Sequence, residues 1–273
     1  VKWDGHTHSH FCRHGSDIDL KHYLQKAEAL GFSRYTVSEH PPLPEGWLKD
    51  TSLMQSLAMN AEELPAYIAC VDRLKSEFDG RLEVTTGLEL DYLYGDETFT
   101  ERIVSDWHGK LDDVILSVHY LPGRRGMRCI DYTPADFRQG LLAYYGTMEK
   151  VVNEYYDHVE LAIDSAAGWP VRTRLGHVNL IEKFRLLLPG IDARQSEERL
   201  RNMIPKLAAA GIGIDVNTAG MRKSTCLKPY APEWFVRECL SRGIACVFGS
   251  DAHRPEDIGS GWDWYAATIA EKE

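Results

Sequence analysis

Asp4-Gly5-His6-Thr7-His8-Ser9-His10-Phe11-Cys12-Arg13-His14-Gly15 is the stretch from which the fold is read. Four histidines fall within nine positions, directly after a short apolar start. Side chains two apart on a strand share a face, so His6 and His8 aim two imidazoles at one point. Neutral imidazole is the commonest side-chain metal ligand. The run is not an affinity tag or a plain surface cluster, because Thr, Ser, Phe, Cys and Arg interrupt it. It predicts a strand ending in a metal site, and the remaining chain should supply matching strands and ligands.

Seven β-rich runs are legible, over about 2–6, 34–38, 82–88, 113–118, 172–176, 213–216 and 245–249. Most are dominated by Val, Ile, Leu and Thr, as buried parallel strands require. Helical spacing fills the intervals: 18–30 with Leu20, Tyr23, Leu24, Ala27 and Leu30, stopped by Gly31; 64–78, ending before Gly80; a long stretch over 134–163 with candidate breaks at Gly140 and Gly146; 196–210 with Ser196 as N-cap; and 232–242 with proline in its first turn. This repeated β-α alternation implies a parallel sheet, open or closed into a barrel. Segments 41–60 and 121–133 read as long loops, of the kind that serve as lids or binding loops.

The ends of the strands carry the chemistry. After the first come His6, His8 and His14; after the second, Glu39 and His40; the third runs into Glu89 and Asp91. His119 follows the fourth, His177 the fifth and Asn217 the sixth, and Ser250-Asp251-Ala252-His253 closes the seventh. Sites in α/β barrels and sheets form at these carboxyl ends. Seven of the eleven histidines lie there, whereas His22, His108 and His158 fall in helical or connecting segments. The donors are nitrogen and oxygen, which suits Zn, Mn or Fe. They exceed the needs of one ion, so two or three divalent ions are expected. Glu89 and Asp251 are the natural bridges, since a carboxylate can span two ions. Two ions about 3.5–4 Å apart can hold a hydroxide for in-line attack on phosphorus. The implied reaction is metal-dependent hydrolysis of a phosphate ester, with amide or lactone hydrolysis open on ligand types alone.

The chain has 273 residues, 44% of them hydrophobic, and fits one large α/β domain or two small ones. A net charge of -10 argues against broad nucleic-acid affinity. No apolar run reaches membrane-spanning length. The six scattered cysteines, without C-x-x-C, and the lack of a signal-peptide pattern lead us to expect a cytoplasmic protein with reduced thiols.

The ordered set Asp4-Gly-His-Thr-His8, Phe11-Cys-Arg-His14-Gly15, Ser38-Glu-His40, Gly87-Leu-Glu89-Leu-Asp91, Ser117-Val-His-Tyr120, Leu175-Gly-His177, Val216-Asn-Thr-Ala-Gly-Met-Arg-Lys223 and Gly249-Ser-Asp-Ala-His253 resembles the PHP (polymerase and histidinol phosphatase) domain family, in its histidinol-phosphate phosphatase branch. The resemblance implies a single PHP-type metallophosphatase domain over 1–273, built as a distorted (β/α)7 barrel with the metal site at the C-terminal ends of its strands. It implies a first metal on His6, His8, Glu89 and Asp251, a second on Glu89, His119 and His177, and a third on His14, His40 and His253. The implied activity is hydrolysis of L-histidinol phosphate to L-histidinol and phosphate, a step of histidine biosynthesis. A phosphoesterase acting on nucleotides or another small ester is the alternative, and a metal-binding protein without turnover a more distant one.

Within this reading Glu89, Asp251 and His253 carry the catalysis. Arg174 and Arg222, nearest the site in sequence, are the candidates for binding the phosphate. Lys183, Lys223, Arg124, Arg125 and Arg254 rank behind them. Asp4 would orient His6 or pack locally, Glu39 and Asp91 would bind the substrate ammonium or make structural hydrogen bonds, and Cys12 reads as a packed thiol. His10 departs from the family pattern and is expected to bond locally. The chain also ends sooner after Trp264 than the resemblance leads one to expect, which bears on how the barrel closes.

Overall fold

The computed structural model describes residues 1–270. Seven parallel strands form one sheet in the order β1 (Trp3–Asp4), β2 (Arg34–Glu39), β3 (Glu83–Asp91), β4 (Asp113–Ser117), β7 (Thr173–Leu175), β8 (Gly213–Asn217) and β9 (Cys246–Gly249). Two further strands, β5 (Tyr120–Gly123) and β6 (Gly126–Cys129), make a separate antiparallel hairpin. The first and last strands meet: Gly5 N–H donates to Phe248 O, Asp251 N–H to His6 O and His8 N–H to Ala252 O, all within 2.8–2.9 Å. The sheet is thus a nearly closed (β/α)7 barrel.

Helices pack around the barrel because each presents one apolar stripe. In Leu20–Ala29 the buried residues are Leu20, Tyr23, Leu24 and Ala27; Asp19 caps the start and Gly31, at φ 74°, ends it. Leu64–Glu77 and Glu233–Ser241 follow the expected pattern. Trp262–Ile269 packs Trp262 and Tyr265 against Phe248 of the last strand. Among the described residues no helix is long and apolar enough to cross a membrane.

Two elements differ from expectation, and a third breaks at one of its two candidate positions. The helix expected from Ser196 begins three residues earlier, at Ala193, because the Asp192 carboxylate accepts from Arg194 N–H and makes a better cap. The 134–163 stretch breaks at Gly146 (φ 86°) after a π-helical turn at 138–142, and resumes as Met148–Ala166 behind the Thr147 cap. The 121–133 loop contains the β5–β6 hairpin, whose two-residue turn places Arg125 at φ 69°.

The lower barrel interior holds a buried ion pair. Arg174 on β7 is 1% exposed and clamps both oxygens of Asp113 on β4; it also donates to Gly5 O at 2.7 Å. Its guanidinium lies over the Trp3 ring, 5.3 Å from the centroid. This corrects the expectation that Arg174 binds substrate phosphate: its Nε and Nη2 are committed to Asp113 and Gly5, and the residue does not line the cavity over the metal ligands. Asp113→Ala should cost about 3–5 kcal/mol in unfolding free energy, because it strands a buried guanidinium. Chemical denaturation should show that loss, and Asp113→Ala with Arg174→Met should recover most of it.

Candidate metal centre

At the opposite end of the barrel the nine expected ligands converge. Glu89 leaves β3 at the centre: Oε2 lies 3.0 Å from His6 Nε2 and 3.4 Å from His8 Nε2, and Oε1 lies 2.9 Å from His177 Nε2 and 3.6 Å from His119 Nε2. Asp251 Oδ1 lies 3.2 Å from His8 Nε2 and 3.7 Å from His6 Nε2. Asp251 sits just past β9 at φ 53°, a left-handed conformation that Asp tolerates better than most residues. His40 stacks on His8 with ring centroids 4.5 Å apart, His253 does so at 3.9 Å, and His14 Nε2 lies 3.1 Å from His253 Nε2.

Three groups of donor atoms lie close enough together to share an ion: His6, His8 and Asp251; Glu89, His119 and His177; and His8, Cys12, His40 and His253. The last differs from the implied trio of His14, His40 and His253: it gains His8 and Cys12 and lacks His14, and the first group lacks Glu89. Burial, followed by the Glu39 charge, pushes the Cys12 thiol up to about 12, which favours the packed thiol expected for it.

The outer nitrogens of the imidazoles are fixed by carboxylates. His6 Nδ1 bonds Asp215 Oδ2 at 2.7 Å, His8 Nδ1 bonds Glu39 Oε1 at 3.1 Å, and His119 Nδ1 bonds Asp91 Oδ1 at 2.6 Å. A metal-ligating histidine has this form, with one nitrogen held by a carboxylate and the other free. His6 Nε2, His8 Nε2 and Asp251 Oδ1 are buried without a hydrogen-bond partner. Orphaned, mutually facing donors are what a transition-metal ion requires, so the residues fit the expected ions.

Charge balance agrees. Burial disfavours charge on His6, yet Glu89, Asp215 and Asp251 outweigh it and lift its pKa well above the usual value. His8 is lifted likewise against burial, by bonds to Asp251, Glu39 and Glu89. Glu89 and Asp251 are held well below the usual carboxylate range by the surrounding imidazoles, although burial pushes the other way. The cluster therefore holds more anionic charge than its own side chains neutralise without added protons or cations.

Asp215 escaped the sequence reading. The available signal was a carboxylate at the centre of an otherwise apolar strand, two residues before Asn217. Asn217 Nδ2 donates to Asp215 Oδ2 (3.1 Å) and Asp251 Oδ2 (3.2 Å), so it links the two carboxylates, while its Oδ1 caps Ala219 N–H. Gly249 makes this possible, since a Cβ there would lie 2.1 Å from Asp215 Oδ1. Glu39 and Asp91 prove to be histidine partners. Asp4 accepts from Ser250 and Gly259 N–H and so packs the closing loop. His10 Nδ1 accepts from Leu20 N–H at the first helix, which is the local bond expected of it.

A cavity of about 320 Å³ opens over the cluster. Leu53, Ser56 and Leu57 of segment 41–60 line it, together with Tyr120, Asp131, Tyr132, Lys183, Arg222, Lys223 and Tyr230. That segment contains the short helix Thr51–Gln55, and Ser56 O accepts from His14 Nδ1 at 2.9 Å. Arg222 is pinned at the wall by Ser250 O (2.8 Å) and Asp251 O (3.3 Å), and Lys183 is paired with Asp131 Oδ2 (2.8 Å). Arg254 lies at the cavity rim; Arg124 and Arg125 lie on the hairpin turn and do not line the cavity.

Comparison with known proteins gives matches along the whole chain. Residues 4–219 match the model of the PHP domain family, and 237–273 that of the PHP-associated family. The histidinol-phosphatase of Bacillus subtilis (strain 168) is 35% identical over 266 residues, covering 96% of this chain and 97% of that protein. A solved structure from Listeria monocytogenes, assigned only provisionally as a histidinol phosphatase, superposes with a TM-score of 0.91 at 32% identity, covering 97% of this chain and 100% of that one. The histidinol phosphate phosphatase of Lactococcus lactis, crystallised with zinc, L-histidinol and phosphate, shares the fold at a TM-score of 0.75 and 18% identity, covering 99% and 94%.

Asp215→Asn keeps the shape but removes the charge behind His6. It should weaken metal retention about 10–100-fold, read as metal content after dialysis against graded chelator. Retention equal to the parent protein would remove Asp215 from the site.

Proposed function

The chain belongs to the PHP domain family, and on that premise we propose that it is a metal-dependent phosphomonoesterase hydrolysing L-histidinol phosphate to L-histidinol and phosphate. The observation that carries this reading is the buried set of orphaned donors facing one another beneath the cavity. The Bacillus subtilis relative supports the substrate. The complex of the Lactococcus lactis protein with zinc, L-histidinol and phosphate is consistent with it.

In this reading His6, His8, Glu89 and Asp251 would hold one ion, Glu89, His119 and His177 a second, and His14, His40 and His253 a third. Zn, Mn and Fe all suit these donors. When bound, such ions supply Lewis acidity toward a phosphate ester. The chain's own residues prepare the rest. Asp215, Glu39 and Asp91 orient His6, His8 and His119 so that Nε2 faces inward. Glu89 joins the groups on either side of it, and Ser117 Oγ–H steadies its Oε1 at 2.8 Å.

Arg222, held rigid by two backbone carbonyls, offers its charge to the phosphoryl oxygens, with Lys183 on the same wall. These cations draw an anionic ester into a protein of net charge -10. Leu53, Leu57, Leu180, Tyr120 and Tyr132 give the cavity an apolar side for the body of a small alcohol. A single PHP-type domain acting in the cytoplasm completes the proposal, in keeping with six free cysteines.

The decisive assay is phosphate release from L-histidinol phosphate, a nucleoside monophosphate and an aryl phosphate at equal concentration. Strong preference for the first, abolished by chelation and restored by metal, is expected. Metal-dependent turnover of the others alone would keep the phosphoesterase and reject the substrate. Separately, Glu89→Ala and Asp251→Asn should each lower turnover by orders of magnitude in a folded protein. Near-parental turnover of the metal-loaded variants would reject their roles.

A further inference from the structure

Most large buried tyrosines of the described chain have satisfied hydroxyls. Tyr67 donates to Val37 O and Gly87 O, Tyr155 to Val178 O, Tyr156 to Asn179 Oδ1 and Tyr23 to His253 O. Tyr230 does not. It is 2% exposed, and its hydroxyl has no hydrogen-bond partner. Tyr35 shares that lack, but lies in the core away from the cavity. Tyr230 lines the cavity beside Arg222, Lys183, His177 and Asp251.

Its position is built. The backbone N–H of Tyr230 donates to Asn217 O at 2.8 Å, and its carbonyl accepts from Asn179 N–H at 2.9 Å. One bond ties it to the end of β8, the other to the segment after His177. The ring stands edge-on to the His177 imidazole, with centroids 6.3 Å apart. Gly220 gives it room, since a Cβ there would lie 2.9–3.0 Å from the ring. A hydroxyl fixed in this way without a partner is costly to bury. The arrangement is accounted for if a ligand in the cavity supplies the acceptor. Burial raises its pKa far above the usual value, with Cys226, Asp131 and Asp251 adding to the effect, so the group remains a neutral O–H donor.

We propose that the Tyr230 hydroxyl donates a hydrogen bond to a non-bridging phosphoryl oxygen of the bound ester, which makes Tyr230 a further substrate-contacting residue. The inference rests on the phosphomonoesterase reading but not on which alcohol is esterified. A buried, partnerless donor in the cavity that Arg222 and Lys183 also line matches an anionic oxygen, the one feature common to every phosphate monoester.

The test is Tyr230→Phe in the metal-replete protein. It is read by melting temperature, metal content, kcat/KM on L-histidinol phosphate and on an aryl phosphate, and calorimetric binding of inorganic phosphate. The melting temperature should stay level or rise, because no folded-state bond is lost, and metal content should not change. For one bond to a charged acceptor, kcat/KM on both esters should fall about 10–100-fold, and phosphate binding should weaken by a similar factor. Unchanged kinetics and phosphate affinity would overturn the proposal. So would a loss confined to the alkyl ester, which would place the hydroxyl on the leaving group, or a clear fall in melting temperature, which would give it a structural partner. If the parent protein cleaves only the aryl ester, the substrate assignment fails and the Tyr230 comparison still stands. If it cleaves neither, phosphate affinity decides.

Discussion

Charged groups cannot be buried unless something answers their charge, and that constraint governs both ends of this barrel. At the floor, Arg174 and Asp113 answer each other completely enough to be sealed between strands. At the mouth, the balance is left open. Glu89, Asp251, Asp215, Glu39 and Asp91 face a ring of imidazoles whose inner nitrogens have no hydrogen-bond partner at His6 and His8. The floor is an ion pair whose two charges answer each other, with Arg174 Nη1 alone left without a hydrogen bond. The mouth is a set of donors that needs cations, and the small residues around it exist to let its carboxylates approach. Gly249 against Asp215 is the clearest instance.

The same contrast explains what was legible in the sequence. The seven strands and nine converging ligands could be read because parallel strands deliver their final residues to one end, whatever the helices between them do. His6, His40, Glu89, His119, His177 and Asp251 therefore meet although they span most of the chain. Closeness in sequence to His177 does not bring the Arg174 side chain to the cavity. Along a strand each residue rises about 3.3 Å and the side chains alternate, so three residues below His177 is roughly 10 Å deeper in the barrel. Asp215 was passed over for the complementary reason. It precedes the strand end by two residues, on the face that points inward, and only the fold shows that His6 from the neighbouring strand pair reaches down to meet it.

Local rules failed where tertiary packing overrode them. Ser196 has the chemistry of a cap, but Asp192 stands one residue before the helix and its carboxylate accepts from Arg194 N–H in the first turn. The 121–133 segment looks like a structureless loop because its Gly-Arg-Arg-Gly centre is a turn between strands too short to show alternation. The π-helical turn supports that hairpin: Gly140 O accepts from Arg124 N–H, and the missing side chain at 140 leaves room for Arg128, which pairs with Asp136.

The three donor groups are not equally rigid, and the reason lies in which elements carry them. His6, Glu89 and the carboxylates behind them belong to strands or strand ends hydrogen-bonded on both sides, so their geometry is set as the barrel closes. His14 belongs to a loop. Its imidazole is oriented by a main-chain carbonyl of Ser56, its neighbour Arg13 pairs with Glu63, and Met59 N–H reaches back to His40 O. The segment that orients His14 is thus the one that lines the cavity with Leu53 and Leu57. Order in that segment serves two ends at once, the apolar wall and the outermost imidazole. The inner groups owe their preorganisation to the barrel, whereas His14 is oriented through its bond to Ser56 of segment 41–60.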